Sequence, residues 1–497
     1  MLGIFDFRDI FIILWDKGDT EVKKDVDKQI EKDAIFGIAP LLQSEKIYGF
    51  LDAFLVLSGY CIATWSYTQG TYLATLVGFK QLLIGAFFGA ILMLVIYQLP
   101  VIMSARFGID IWIWLRSVFG PTGVKIMTVV IILINFPWYA VCAELFSLSM
   151  TNLADIFGLI IPDSMHAFLG ISCVLLGTFI AYKGIGAITW TTRILVPLLI
   201  VVGILVVVIG FTSVPFDVIW NYKPKNTGYS DNLIPYIISI EANFAFVITL
   251  VGGMAGVPRL TKNENSGFWA GVLGQGLSGS FFVVVGAVMS IAMQYVTGKM
   301  IADPTIMLAT LSIPAVAISS LLLVAFANIG TQAVGSYLYG VMLKSSFKKA
   351  DYRVLIMILA LYVSGLCVWG KIIEYFGSFL TVTASIYAPL AALLCVDFFF
   401  VRKQKLALRS AFGLPGYKAY EYTRGINWIG FICVAAGIAM SLLIYNPITA
   451  EVHNMFLFHF TPTGFSFLGT GILYYFLSRI PIINKYLLCD RGEITIS

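Results

Sequence analysis

At 497 residues, 59% hydrophobic and only 12% charged, the chain is far too apolar for a soluble globule, whose charged fraction is about 25%, and it reads as an all-α polytopic membrane protein. Its seven cysteines form no CxxC pair and its three histidines no HExxH-type group, so a disulfide framework, a zinc site and metal hydrolase chemistry are all excluded. The net charge of +5 is a matter of orientation: 27 of the 32 Lys and Arg fall in inner loops and tails and five (Lys80, Lys223, Lys225, Lys299, Lys371) outside, which puts both termini in the cytoplasm and leaves nothing for nucleic acid to explain.

Residues 1–48 carry mixed charge and no secretory signal. They read as a cytoplasmic segment, with an apolar start broken by Asp6, Arg8, Asp9 and Asp16 that suits an amphipathic stretch on the inner face. Twelve spans then follow, at about 50–72, 80–103, 124–150, 165–182, 189–211, 234–257, 268–296, 313–342, 354–369, 375–400, 428–445 and 465–482. The first holds Leu57-Ser58-Gly59-Tyr60-Cys61-Ile62-Ala63-Thr64-Trp65-Ser66 and Gly70. Glycines and small residues here predict either a broken helix that exposes backbone to a ligand or tight packing against a neighbour. Asp52 at its inner end reads as a solvated cap.

After the second span, 105–120 contains a short apolar stretch with Arg116, flanked by Gly108 and by Gly120-Pro121. This predicts a helix lying on the inner face, too short to cross. The third span is interrupted by Asn135-Phe136-Pro137-Trp138-Tyr139-Ala140-Val141-Cys142-Ala143-Glu144. Lipid alone does not select a proline, a mid-depth tryptophan and a carboxylate, so something polar faces this helix. Glu144 is a coupling group, a substrate anchor or a partner for another helix. Trp138 is the expected aromatic platform, because an indole can cover one face of a planar ring while amides and hydroxyls read its edge.

The loop 212–233, rich in Pro, Gly, Asn and Asp, separates two sets of five spans. In the sixth span Glu241 and Asn243 lie in the outer half and Gly252-Gly253 offer a break near mid-depth, the counterpart of the first span in an inverted repeat. The eighth span carries Asn328, Thr331, Gln332 and Ser336 among small residues, too many polar groups for a lipid-facing helix. Gln332 and Ser336 are expected either at a substrate edge or in hydrogen bonds between helices. The expected organisation is a cytoplasmic segment 1–48, spans one to five at 49–212, spans six to ten at 213–402, a basic inner loop 403–426, a peripheral pair 427–483 and a cytoplasmic tail 484–497.

Three stretches together resemble a known family. Ala105, Gly108, Arg116-Ser117, Phe119-Gly120 and Gly123 before a Trp-bearing third helix, Cys61-Ile62-Ala63-Thr64-Trp65 in the first, and Val396-Asp397-Phe398-Phe399-Phe400-Val401-Arg402-Lys403 closing the tenth are similar to the nucleobase:cation symporter family, of purine-cytosine permease type. The resemblance implies a leucine-transporter-like core of five plus five helices and two peripheral ones. It implies symport of a nucleobase or a hydantoin- or allantoin-like heterocycle with Na+ or H+, by alternating access in the cell membrane.

By the same resemblance the substrate would meet Trp138, Cys142 (where relatives carry an amide), Phe246 or Val247 as a second aromatic position, and Thr249. Carbonyls of the first helix at Gly59 and Cys61, with Ala327, Gly330 and Thr331 of the eighth, would hold a sodium ion. The hydroxyl expected at 330 is replaced by glycine, and of the D-F-x-R ending of the sixth span only Arg259 is kept. Glu144 and Glu241 remain the carboxylates available for coupling. Two rivals stand beside this reading: a non-transporting nutrient sensor of the same fold, and a carrier of an unrelated metabolite. A membrane enzyme would need a nucleophile–base or metal constellation, and none is visible. No cofactor is expected.

Overall fold

A computed structural model describes residues 40–62, 64–225, 227, 229, 231, 233–249, 256–301, 306–307, 310, 314–414, 416–449 and 451–488. The expected amphipathic start, the Gly252-Gly253 break and the end of the tail lie outside the described residues. The longer helices are α1 Phe50–Cys61, α2 Thr64–Leu76, α3 Phe79–Tyr97, α4 Ile111–Asn135, α5 Trp138–Ile156, α6 His166–Tyr182, α7 Ile185–Ser213, α8 Leu233–Ile248, α9 Glu264–Thr297, α10 Pro314–Ser346, α11 Tyr352–Trp369, α12 Phe376–Val401, α13 Trp428–Ile444 and α14 Pro462–Arg479. Among the described residues eight segments are long and apolar enough to cross a membrane, up to ten if each of two bent pairs counts as one span, and α8 and α13 are shorter apolar helices. Taken in order they correspond to the twelve expected spans. Two-residue strands, Tyr445–Asn446 and Glu451–Val452, form a hairpin between α13 and α14 that periodicity did not reveal.

The first span is broken, and not at its glycines. α1 and α2 meet at 59°, with Ile62 at φ −80°, ψ 58°. Gly59 and Gly70 lie within the helices and serve close approach instead. A Cβ on Gly70 would fall 1.9 Å from the Val283 carbonyl of α9, and one on Gly286 of α9 would fall 2.4 Å from the Tyr67 carbonyl. The two helices interlock through these mutual notches.

The short helix expected before the third span is present and has a sharp end. Gly120 takes φ 79°, ψ 164° inside α4, a conformation open to glycine. Pro121 then starts the crossing part, where a missing N–H costs nothing. The segment before Gly120 is held from several sides. Arg116 donates to the carbonyls of Ala411 (2.8 Å) and Ser345 (2.7 Å), Asn427 Nδ2 donates to Val118 O at 2.7 Å, and Arg402 donates to Ser117 O at 2.6 Å. Arg402 also pairs with Asp397 at 2.8 Å, both side chains almost wholly buried, and Tyr474 of α14 donates to the same carboxylate at 2.7 Å. The Asp-to-Arg ending of the tenth span thus clamps α12, α14 and the helical residues 111–120 into one corner.

Candidate functional site

Pro137 organises the third span around Trp138. Lacking an N–H, it leaves the Leu133 carbonyl without its helical donor. The Tyr362 hydroxyl of α11 donates to that carbonyl at 2.9 Å, and Thr383 of α12 donates to the next one, Ile134, at 3.3 Å. Neighbouring helices thereby satisfy backbone that lipid cannot. The interruption is confined to Phe136 and Pro137, both with right-handed helical dihedrals, so α4 and α5 run on as one crossing element.

The Trp138 indole is 5% exposed and stands in a cage of rings. Trp65 lies 5.4 Å away at 80°, Phe246 5.9 Å at 72°, Phe376 5.5 Å at 90° and Phe379 5.1 Å at 63°, all edge-type contacts that aromatic quadrupoles favour. Tyr60, Trp65, Trp138, Phe246 and Thr249 line a cavity of about 10 Å³, room for about one water and far below the roughly 300–1,000 Å³ of a ligand pocket, so the arrangement is closed. Two of its walls come from helix ends: Tyr60 and Trp65 flank the α1–α2 break, and Phe246 and Thr249 sit where α8 stops.

Of the residues named from sequence, the structure brings Trp138, Phe246 and Thr249 together. Phe246, not Val247, lines the cavity. Thr249 spends its hydroxyl on the Phe246 carbonyl at 2.7 Å, while its own carbonyl accepts from Asn135 Nδ2 at 3.0 Å. Cys142 is buried outside the lining. Gln332 turns toward α6, where a Cβ on Gly177 would fall 2.5 Å from its Cγ, and neither Gln332 nor Ser336 lines the cavity. Their amide and hydroxyl atoms are buried without partners.

The carboxylates stand elsewhere. Glu144 follows Trp138 by six residues, about 240° round the helix, half-buried on the side of Cys367 in α11. Glu241 is 3% exposed and accepts the Thr463 backbone N–H at 3.0 Å together with the Thr463 hydroxyl. It therefore caps the N-terminus of α14, a favourable place for negative charge.

The expected cation residues do not fit a sodium cage in this arrangement. The Cys61 carbonyl already accepts from Ser66 Oγ at 2.7 Å and Trp65 Nε1 at 3.3 Å. Gly59 packs against Thr192 and Val196 of α7, and Gly330 against Leu195 of the same helix, whose Cδ1 would lie 3.0 Å from a Cβ there. Ala327 and Gly330 bring only their backbone carbonyls, and among these residues Thr331 supplies the side-chain hydroxyl, which is buried and unpartnered. With the Cys61 carbonyl engaged and no hydroxyl at 330, the set is short of the converging oxygens of a cation site.

Sequence reasoning missed Tyr60, Trp65, Phe376 and Phe379 as ring partners, and Asn135. Tyr60 and Trp65 straddle the small-residue stretch where a break was expected, which is the signal that could have found them. Asn135 precedes Trp138 by three residues, near enough to share its face.

Comparison with known proteins agrees with this architecture. A solved structure described as Mhp1, a nucleobase-cation-symport-1 family transporter in a closed conformation with bromovinylhydantoin bound, superposes with TM-score 0.72 at 19% identity over 89% of this chain and 93% of that one. A Na+-coupled sialic acid symporter in a substrate-bound outward-open state gives TM-score 0.60 at 13% identity, over 90% and 93%. At these identities the likeness is one of fold: a polytopic all-α transporter of the leucine-transporter-like kind. A hydantoin permease from Microbacterium maritypicum is 35% identical over 66 residues, a match spanning 13% of each protein. Residues 40–461 match the family described as permease for cytosine/purines, uracil, thiamine, allantoin. The chain belongs to that family, the nucleobase:cation symporters.

Proposed function

We propose that this permease imports a planar nitrogen heterocycle, a nucleobase or a hydantoin- or allantoin-like ring, across the cell membrane with both termini cytoplasmic. The observation that carries the reading is the Trp138 indole at mid-depth, walled by Trp65 and Phe246 and facing a small closed cavity. Rings stack on rings, and a flat substrate replaces edge contacts between side chains by face contacts of its own. Alternating access is supported by the pairing of a continuous element, α4–α5, with an interrupted one, α1–α2. On this reading 49–212 and 213–402 are the two halves of the inverted repeat, and 427–483 is a peripheral pair tied to the second half through Glu241 and Thr463.

A cation gradient drives uptake, and a proton is preferred to sodium because the Cys61 carbonyl is engaged by Ser66 and glycine stands where the second hydroxyl of the sodium set would be, at 330. The test is uptake of labelled cytosine, uracil, hydantoin and allantoin by purified protein in vesicles. Accumulation of at least one of them above a protein-free control supports the reading. Binding without flux for every one refutes transport and favours a sensor.

A further inference from the structure

Asn135 lies one helical turn before Trp138 and is 1% exposed. Its Nδ2 donates to the Thr249 carbonyl at 3.0 Å and to the Tyr339 hydroxyl of α10. The Thr249 partner is a carbonyl and can only accept, so the amide nitrogen must face it and the amide cannot be turned over. Both amide hydrogens are thus committed, one to the end of α8 and one to α10. The oxygen is left: Asn135 Oδ1 is buried with no donor, and so is the donor-only Nε1 of Trp138 with no acceptor. Buried polar atoms are paired in almost every native structure, by protein, water or ligand. Here a lone acceptor and a lone donor sit on one helix within a turn, and the acceptor's own residue holds Thr249, part of the cavity wall.

Resting on the proposed function, we infer that Asn135 is a specificity-determining residue: its Oδ1 accepts from a ring N–H of the substrate that lies against the Trp138 face. The site then selects a ring that carries an N–H donor, as a lactam or cyclic ureide does, over rings that lack it. The clasp to Thr249 and Tyr339 fixes the amide oxygen as an acceptor, so an N-alkylated ring finds no hydrogen bond and meets a buried unpaired oxygen. A site built this way rejects the analogue lacking the donor far more strongly than a merely apolar pocket does.

The test is competition against uptake in vesicles or cells, with hydantoin and uracil as probes and their N1- and N3-methyl derivatives as rivals. In the wild-type protein, methylation of one ring nitrogen is expected to weaken competition at least about tenfold. In Asn135→Ala the gap shrinks below about threefold, because the acceptor is gone. Tyr339→Phe removes a partner of the amide but keeps its oxygen, so the gap persists and separates substrate reading from general loosening. A wild type indifferent to methylation, or an Asn135→Ala protein that retains the full gap, overturns the role of Asn135 and leaves the permease reading standing. If neither variant reaches the membrane, the wild-type gap decides, its presence supporting the inference and its absence overturning it. Failure of the wild type to take up either probe refutes the reading on which the inference rests, and the inference with it.

Discussion

The Trp138 indole and the Phe246 ring meet edge-on at 5.9 Å and 72°, and they ride on helices of opposite kind. α5 continues α4 across the bilayer, whereas α8 stops at Ile248, two residues beyond Phe246. A fixed platform thus faces a ring mounted on a helix end. Phe246→Ala is expected to raise KM by roughly 2- to 12-fold, the range that an aromatic pair of about 0.5–1.5 kcal/mol supports, with a smaller change in kcat. Initial-rate uptake checks it, and an unchanged KM takes Phe246 out of the substrate wall.

Glu241 is bound to the first turn of α14 through Thr463, so its role is to fasten the peripheral pair. Glu241→Ala is expected to cost about 1–3 kcal/mol by loss of a charge-assisted bond and cap, seen as a lower melting temperature in detergent. Ion dependence of uptake, normalised to folded protein, stays as in the wild type. A variant of normal stability that has lost its ion dependence would instead make Glu241 the coupling group.

At the corner formed by α12, α14 and residues 111–120, removing Arg402 leaves Asp397 charged and buried and takes one of two donors from the Ser117 carbonyl. Arg402→Ala should therefore destabilise by about 3–5 kcal/mol, enough to abolish a monodisperse peak in detergent. Asp397→Asn combined with Arg402→Gln removes both charges and is expected to recover part of that loss. No recovery in the double variant would show that the pair is not the dominant tie.

Replacing sodium by an organic cation at fixed pH is expected to leave accumulation within about twofold of its normal value, since the Cys61 carbonyl is engaged by Ser66 and Trp65 and glycine at 330 removes a hydroxyl from the sodium set. Collapsing the proton gradient with a protonophore should abolish accumulation. Uptake that vanishes without sodium would show that α1 and α10 rearrange to present carbonyls which the closed arrangement engages elsewhere.

The fold was legible because lipid imposes it: runs of apolar length follow from backbone solvation. Trp138 stood out because a proline beside a mid-depth tryptophan has no use in lipid, whereas Phe246 came only from the family resemblance, with Val247 as the alternative. Gln332 was expected at a substrate edge or in hydrogen bonds between helices, and the structure sets it against Gly177. α10 is buried on most sides, so its polar residues show no amphipathic phase that tells which neighbour they face. Glu241 read as a carboxylate available for coupling because its partner, Thr463, lies 222 residues further along the chain. Asn135 stood in the polar interruption without a role of its own because its partners are a backbone carbonyl and a tyrosine on another helix, neither of which a local pattern announces.

The central claim is that a planar ring binds against Trp138, and the most direct measurement is uptake and binding by Trp138→Ala beside Trp138→Phe, at matched levels of folded protein. The account predicts that Trp138→Ala loses accumulation of the preferred heterocycle and its ligand-induced thermal stabilisation, while Trp138→Phe retains a measurable part of both. Accumulation and stabilisation unaffected in Trp138→Ala would contradict it.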